Sequence, residues 1–174
     1  MLWYPWVRRG GTSNDRLGGS TGAGSIPLTA AHYAALAKAY GGPARAYHAL
    51  GHACAVIEPW RDVDQRLGWT RRAETFLALI YHDAIYVAGR SDNEEASAAS
   101  AREQIDGLTA LDMHEVERLI RLTAQHGRLT PRMVDRDAGL LLDCDMAILG
   151  AMPDDFAVYE AGIRSEYAHV PEPW

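Results

Sequence analysis

The sequence predicts an all-α fold on three observations. Apolar residues recur at three- and four-residue spacing, capping residues and Gly or Pro breaks flank those runs, and no convincing segment alternates apolar and polar residues with the period of a strand. About six or seven helices are expected. Thr29 is placed to cap the first, which should end at Gly41-Gly42. Pro43 suits the first turn of a second helix over about 43 to 57, closed by Pro59, with His48 in its middle.

Residues 69 to 88 (WTRRAETFLALIYHDAIYVA) bring Phe76, Leu77, Ile80, Ala84 and Val87 to one face before Gly89, so a largely buried helix is expected, with His82 and Asp83 in its second half. Ser91-Asp92 offers a cap to an alanine-rich helix over 93 to 106, whose Glu94 and Glu95 suit the positive end of its dipole. Asp112 followed by Glu115 resembles a capping box for 113 to 126. After Pro131, the run 134 to 149 places Leu140, Leu141, Leu142, Met146 and Leu149 in the core, and Pro153-Asp154-Asp155 opens a last helix to about 168.

A chain of 174 residues with 48% hydrophobic content suits one domain with one core, expected over 28 to 174. Residues 1 to 27 are rich in Gly, Ser and Thr and read as an irregular or mobile lead-in. No apolar run approaches the roughly 20 residues of a membrane span, and the first residues lack the order of a secretory signal, so a soluble, cytoplasmic protein without a membrane partner is expected. Cys54 and Cys144 lack a CxxC partner and read as reduced, structural residues. A net charge of −6 argues against a groove for duplex nucleic acid but leaves room for a small anion recruited by a local field. Lys38 is the only lysine; every other basic side chain is an arginine, which forks onto phosphate. Trp3, Trp6 and Trp174 are candidates for packing between subunits of a homo-oligomer, or for an intramolecular clamp.

His48 and His52, four apart, share a helical face, with Arg45 one turn before His48. His82-Asp83 places a carboxylate in an apolar helix, where an unpaired charge costs several kcal/mol and a cation would compensate it. Asp143 and Asp145 diverge by about 200° on a helix, so at most one of them reaches a shared ion. A set of imidazoles and carboxylates suits Mn, Fe, Co, Ni or Zn and tolerates Mg.

The order His48, His82-Asp83, Asp145 resembles the H…HD…D signature of the HD superfamily of metal-dependent phosphohydrolases. PARAYHALGH, YHDAIY, SDNEEASA, LLLDCDMAILG and YEAGIRSEYAHVP are similar to a bacterial family of metal-dependent HD-type phosphohydrolases over about residues 28 to 172. The resemblance implies an HD-domain-like helical bundle with a divalent ion in a central cleft, held by His48, His82, Asp83 and Asp145. It also implies hydrolysis of a small phosphoester, with a nucleotide as the leading substrate class, by a metal-activated water.

In that reading Asp83 both ligates and orients the water, and Glu94 assists in orienting it. Arg45 and Arg164 are candidate phosphate contacts, with a solvated helix end and a surface ion pair as their plainer explanations. His52 and His126 are candidates to donate a proton to the leaving group or to hold a second ion; dipole pairing at a helix end also explains His126. Glu166 and Tyr167 are covered by a surface ion pair and a packed ring. Two other function classes are a non-catalytic metal- or nucleotide-binding module and a di-iron oxygenase, which would need both His52 and His126 at the ions.

Overall fold

The computed structural model describes residues 26, 28–105, 107, 108 and 110–171, and every regular element among them is a helix. In chain order these are α1 (Ala30–Ala39), α2 (Leu50–Ala55), α3 (Ile57–Arg66), α4 (Arg72–Tyr81), α5 (Asn93–Ile105), α6 (Met113–Thr123), α7 (Arg136–Asp145), a 3-10 helix (Met146–Gly150) and α8 (Pro153–Glu166). Val56 closes α2 and opens α3, and the 3-10 helix continues α7 directly, so seven rods build an all-α bundle. None of these helices is long and apolar enough to cross a membrane. The lead-in up to residue 27, Ile26 apart, and the aromatics Trp3, Trp6 and Trp174 lie outside the described residues.

Local chemistry sets four of the eight α-helix starts among the described residues. Thr29 accepts the His32 amide while His32 reaches back to the Thr29 amide, and Asp112 and Asp135 accept the amides of Glu115 and Ala138. Pro153 occupies the first turn of α8, where its missing N–H costs nothing.

Two expected helices are shorter than their apolar patterns, for one physical reason. Residues 43–49 form turns, so His48 precedes α2, and α3 runs through Pro59, which stands in its first turn. The backbone groups that would pair within a helix there are taken by side chains instead: Glu166 Oε1 accepts the amides of Tyr47 (2.7 Å) and His48 (2.9 Å), and Arg45 donates to the His48 carbonyl (2.8 Å). Likewise α4 stops at Tyr81, which leaves His82 and Asp83 just past its end rather than inside it. Ala84 is buried as its periodicity suggests, while Val87 is 47% exposed. The pattern reports burial, and side chains decide where the backbone bonds go.

The core runs through α4, α5, α6 and α7, where Leu77, Leu79, Ile105, Val116, Leu119, Ile120 and Leu141 are fully enclosed and Ala98 and Ala101 let α5 approach α6 closely. Leu140 joins it, but Leu142 and Met146 are half-buried and Leu149 is 41% exposed, because the turn of α7 into the 3-10 helix swings that end toward solvent.

The N-terminal ends of α4, α6 and α7 lie together. Asp137 accepts the amides of Thr70 and Arg71, Arg71 pairs with Asp112, and Arg118 bridges Glu115 and Asp135. These three helices also pack on one another, so they run in the same direction and their C-terminal ends meet at the other end of the bundle.

Candidate metal centre

Each of those C-terminal ends delivers a ligand-type side chain. His82 and Asp83 follow α4, His126 stands in the turn after α6, and Asp145 is the last residue of α7; His52 joins them from the last turn of α2. A helix C-terminus leaves carbonyls without internal partners and carries partial negative charge, so several such ends facing one point favour a cation there.

The side-chain atoms converge closely. His82 Nε2 lies 2.9 Å from Asp83 Oδ2 and 3.1 Å from Asp145 Oδ1, while His52 Nε2 lies 3.4 Å from Asp83 Oδ2 and 3.3 Å from Asp145 Oδ1. The two imidazole nitrogens are 3.2 Å apart. Donor atoms held about 2.1 Å from one ion are about 3.0 Å apart along an octahedral edge and about 3.4 Å along a tetrahedral one. The observed separations fall in that range. The ligand atoms of His52, His82 and Asp145 all lie within 4.8 Å of one another, and these three residues could hold a metal ion. All four side chains are buried, and His126 Nε2 reaches the second oxygen of Asp145, Oδ2, at 2.7 Å.

Hydrogen bonds behind the cluster fix its orientation. His82 Nδ1 meets the Leu79 carbonyl at 2.7 Å, and a carbonyl only accepts, so Nδ1 carries the proton and Nε2 is left to face the carboxylates. The strand of chain after Asp83 is pinned residue by residue. Arg45 donates to the carbonyls of Asp83 (2.7 Å) and Ala84 (2.9 Å), Ser97 Oγ takes both backbone groups of Ile85, and the Asn93 carboxamide takes both of Val87. Across the cleft, Glu166 holds the Tyr47–His48 turn, and Tyr47 packs on His52 with centroids 4.8 Å apart. Gly162 permits this close approach of α8, because a Cβ there would stand 3.0 Å from Tyr47 Cβ.

The electrostatics are mutual. Burial would push the Asp145 and Asp83 carboxyls up, but the His82 imidazole, joined by hydrogen bonds from His52 and, for Asp145, His126, holds both far below the usual carboxylate range. Burial would lower His82 and His52; the same two carboxylates outweigh it and raise both, His82 strongly. The carboxylates stay ionised and demand a positive partner, which protons on the imidazoles or a cation can supply.

The structure thus brings together His82, Asp83, Asp145 and two imidazoles that the sequence offered for other roles, His52 and His126. The imidazole reaching both carboxylates is His52, not His48. His48 lies beside the cluster, stacked on Tyr86 at 3.9 Å between centroids, with Nδ1 donating to Glu166 Oε2 at 2.6 Å. Arg45 is not a free phosphate fork, since its guanidinium is spent on three carbonyls over the Tyr40 and Tyr86 rings. Arg164 is on the solvent side of α8, 76% exposed in its side chain and paired with Glu160, which removes it from the centre. Glu94 is half-buried and lines a cavity of about 710 Å³ with Arg90, Ser91, Gln125 and Arg128; Gln125 and Gly127, the neighbours of His126, form its wall.

Sequence reasoning passed over Glu166 as a surface group, although it is 3% exposed, and gave neither Asn93 nor Ser97 a role in pinning the backbone. Glu166 had a signal, because Tyr159, Ile163 and Glu166 follow one another at four- and three-residue spacing along one face of α8. The pinning roles of Asn93 and Ser97 had none, since a helix-start Asn and an interior Ser look the same whether or not a loop lies against them. Comparison of the chain with protein-family models, with curated proteins and with solved structures found no match.

Proposed function

We propose that this protein is a metal-dependent phosphohydrolase of the HD-superfamily kind, acting on a small phosphoester of the nucleotide class. The observation that carries the reading is that His52 Nε2 and His82 Nε2, 3.2 Å apart, each lie 2.9 to 3.4 Å from both Asp83 Oδ2 and Asp145 Oδ1, with no Lys or Arg side chain ion-paired to either carboxylate among the described residues. These four side chains are the proposed holders of a divalent ion. Held there, such an ion would lower the pKa of a bound water and polarise a phosphoryl oxygen. Mixed imidazole and carboxylate donors suit a first-row transition metal and admit Mg.

The protein's own groups divide the remaining work. His82 is locked with Nε2 inward by Leu79, and Asp83 is held in place by the Arg45 clamp on its own carbonyl, so neither reorganises on binding. Asp145 presents one oxygen to the His52 and His82 imidazoles and the other to His126, which fixes the carboxylate plane and puts a third imidazole at the edge of the cluster. His126 is the more exposed of the imidazoles at Asp145, so it is the group placed to hand a proton to a leaving oxygen.

The test is phosphate release from a panel of nucleotides by purified protein supplied with Mn, Mg, Ni or Zn, with metal content measured on the same samples. Release that His82→Ala abolishes is the expected result. Bound metal without release on a broad panel would replace this reading with a non-catalytic binding module, and two irons per chain with oxygen consumption would replace it with an oxygenase.

A further inference from the structure

α8 carries a stripe that descends into the metal centre. Met152, just before the helix, and Phe156, Tyr159, Ile163 and Glu166 lie four, three, four and three residues apart, on one helical face. Met152 is 53% exposed, Phe156 36%, Tyr159 and Ile163 are half-buried, and Glu166 is buried against the Tyr47–His48 turn. The rings form a continuous series along this slope. Phe156 and Tyr159 have centroids 5.4 Å apart, Tyr159 and Tyr47 4.6 Å edge to face, and Tyr47 and the candidate ligand His52 4.8 Å.

Ordinary packing explains a ring series that ends inside the protein. This one ends in solvent, beside two more exposed apolar side chains, Met152 and Leu149. Single exposed apolar residues are normal, whereas a contiguous apolar run that leads to a polar centre marks a ligand path.

We propose that this aromatic slope is the binding platform for the organic part of the substrate, a planar ring system such as a nucleobase, whose phosphoryl end then lies at the His52–His82–Asp145 cluster. The proposal rests on the phosphohydrolase reading for the phosphoryl end only. A planar ring gains from offset or edge-to-face contact with Phe156 and Tyr159 without hydrogen-bond readout, so the site should accept several bases and discriminate against aliphatic phosphates. The Tyr47 and Tyr159 rings, edge to face at 4.6 Å between centroids, bring two phenol hydroxyls to the same slope. They add donors for the sugar or phosphate between ring and ion.

The experiment is equilibrium binding of AMP and of glycerol 3-phosphate to the Mn-loaded full chain, compared among wild type, Phe156→Ala, Tyr159→Leu and, as a control on another face of α8, Val158→Ala. The expected result is AMP binding about tenfold or more tighter than glycerol 3-phosphate, with that preference reduced to within about threefold by either ring substitution and untouched by Val158→Ala. Glycerol 3-phosphate affinity should stay constant across all four proteins. Phe156 is partly exposed, so its truncation tests the platform even where Tyr159→Leu perturbs packing. Equal affinities in wild type, or a preference that survives both ring substitutions, would overturn the platform. Phosphate release measured on the same samples separates the two claims. Ring preference without release sinks only the hydrolase reading, and release without ring preference sinks only the platform.

Discussion

The two ends of the α4, α6 and α7 bundle are built from the same three helices and solve opposite charge problems. At the N-terminal end every carboxylate has a cationic or amide partner: Asp112 has Arg71 at 2.8 Å, Asp135 has Arg118 at 2.6 Å, and Asp137 takes two backbone amides. Arg136 adds donors to the carbonyls of Leu67 and Gly68. That end encloses a cavity of about 410 Å³, but its walls are already satisfied pairs, half open to water. At the C-terminal end two buried carboxylates face three imidazoles, and the nearby guanidinium, Arg45, points to carbonyls instead. Acidic residues in a cleft are therefore no guide by themselves. What separates a structural node from a candidate cation site is whether the positive charge is already supplied.

The largest expected effect breaks the C-terminal end. Asp145→Ala removes the carboxylate that touches three imidazoles and should weaken Mn or Zn binding by about a hundredfold or more, on the order of 3 kcal/mol. His52→Ala should do nearly the same and His48→Ala should change Kd by less than about tenfold; isothermal titration decides which imidazole is the ligand. The pH dependence follows from the shifts. The His52 and His82 imidazoles are both raised above their usual 6.5, so in metal-free protein their pairing stabilises the fold fully below that pH and is lost as pH rises through the elevated values. Metal requires the neutral rings, so its affinity should climb over the same interval, with proton release on binding. Thermal melts with and without Mn across that interval should cross in slope. Parallel curves would mean that cation and protons do not compete for one site.

How much of this was legible before the fold is best seen in Arg45 and Glu166. The helix starts at Thr29, Asp112 and Pro153 were readable, because capping is local chemistry written in adjacent residues. Charged residues in apolar surroundings marked His82-Asp83 and both Asp143 and Asp145 as needing a partner, and the resemblance of their order to a known signature chose Asp145. What sequence could not give was the loss of helix over 43–49 and after Tyr81, because several of the groups that take those backbone bonds come from far along the chain: Arg45 is 38 and 39 residues from Asp83 and Ala84, and Glu166 is 119 from Tyr47. Once His48 is not helical, the shared face with His52 disappears, and the imidazole nearer the carboxylates becomes the later one. Arg45 looked like an anion fork for the same reason. Its five donors match three carbonyls in a turn as well as they match a phosphate.

A middle-sized effect tests that tether. Glu166→Ala strips the acceptor from two backbone amides and the His48 ring, and should cost about 2 kcal/mol in urea denaturation. Glu166→Gln keeps an oxygen for the amides without the charge and should recover part of that loss. Metal Kd should change by less than about tenfold in both, since no proposed ligand is removed. A hundredfold change would mean that the Tyr47–His48 turn and the ion site are one cooperative unit, and that His48 belongs among the ligands after all.

The smallest expected effect is at the satisfied end. Arg71 and Asp112 are both roughly half exposed, and their pair is screened by salt, so Arg71→Ala should lower stability in urea denaturation only slightly, and less still at high ionic strength. The Asp112 cap survives this substitution, because its other oxygen accepts the Glu115 amide independently of Arg71. Metal content and Kd should be unchanged, because the change lies at the opposite end of α4 from His82. A loss of metal affinity in Arg71→Ala, with the fold intact by circular dichroism, would show that α4 transmits strain along its length. The two ends could then no longer be treated as separate electrostatic problems, and the contrast between a closed charge set and an open one would need to be redrawn around the helix as a whole.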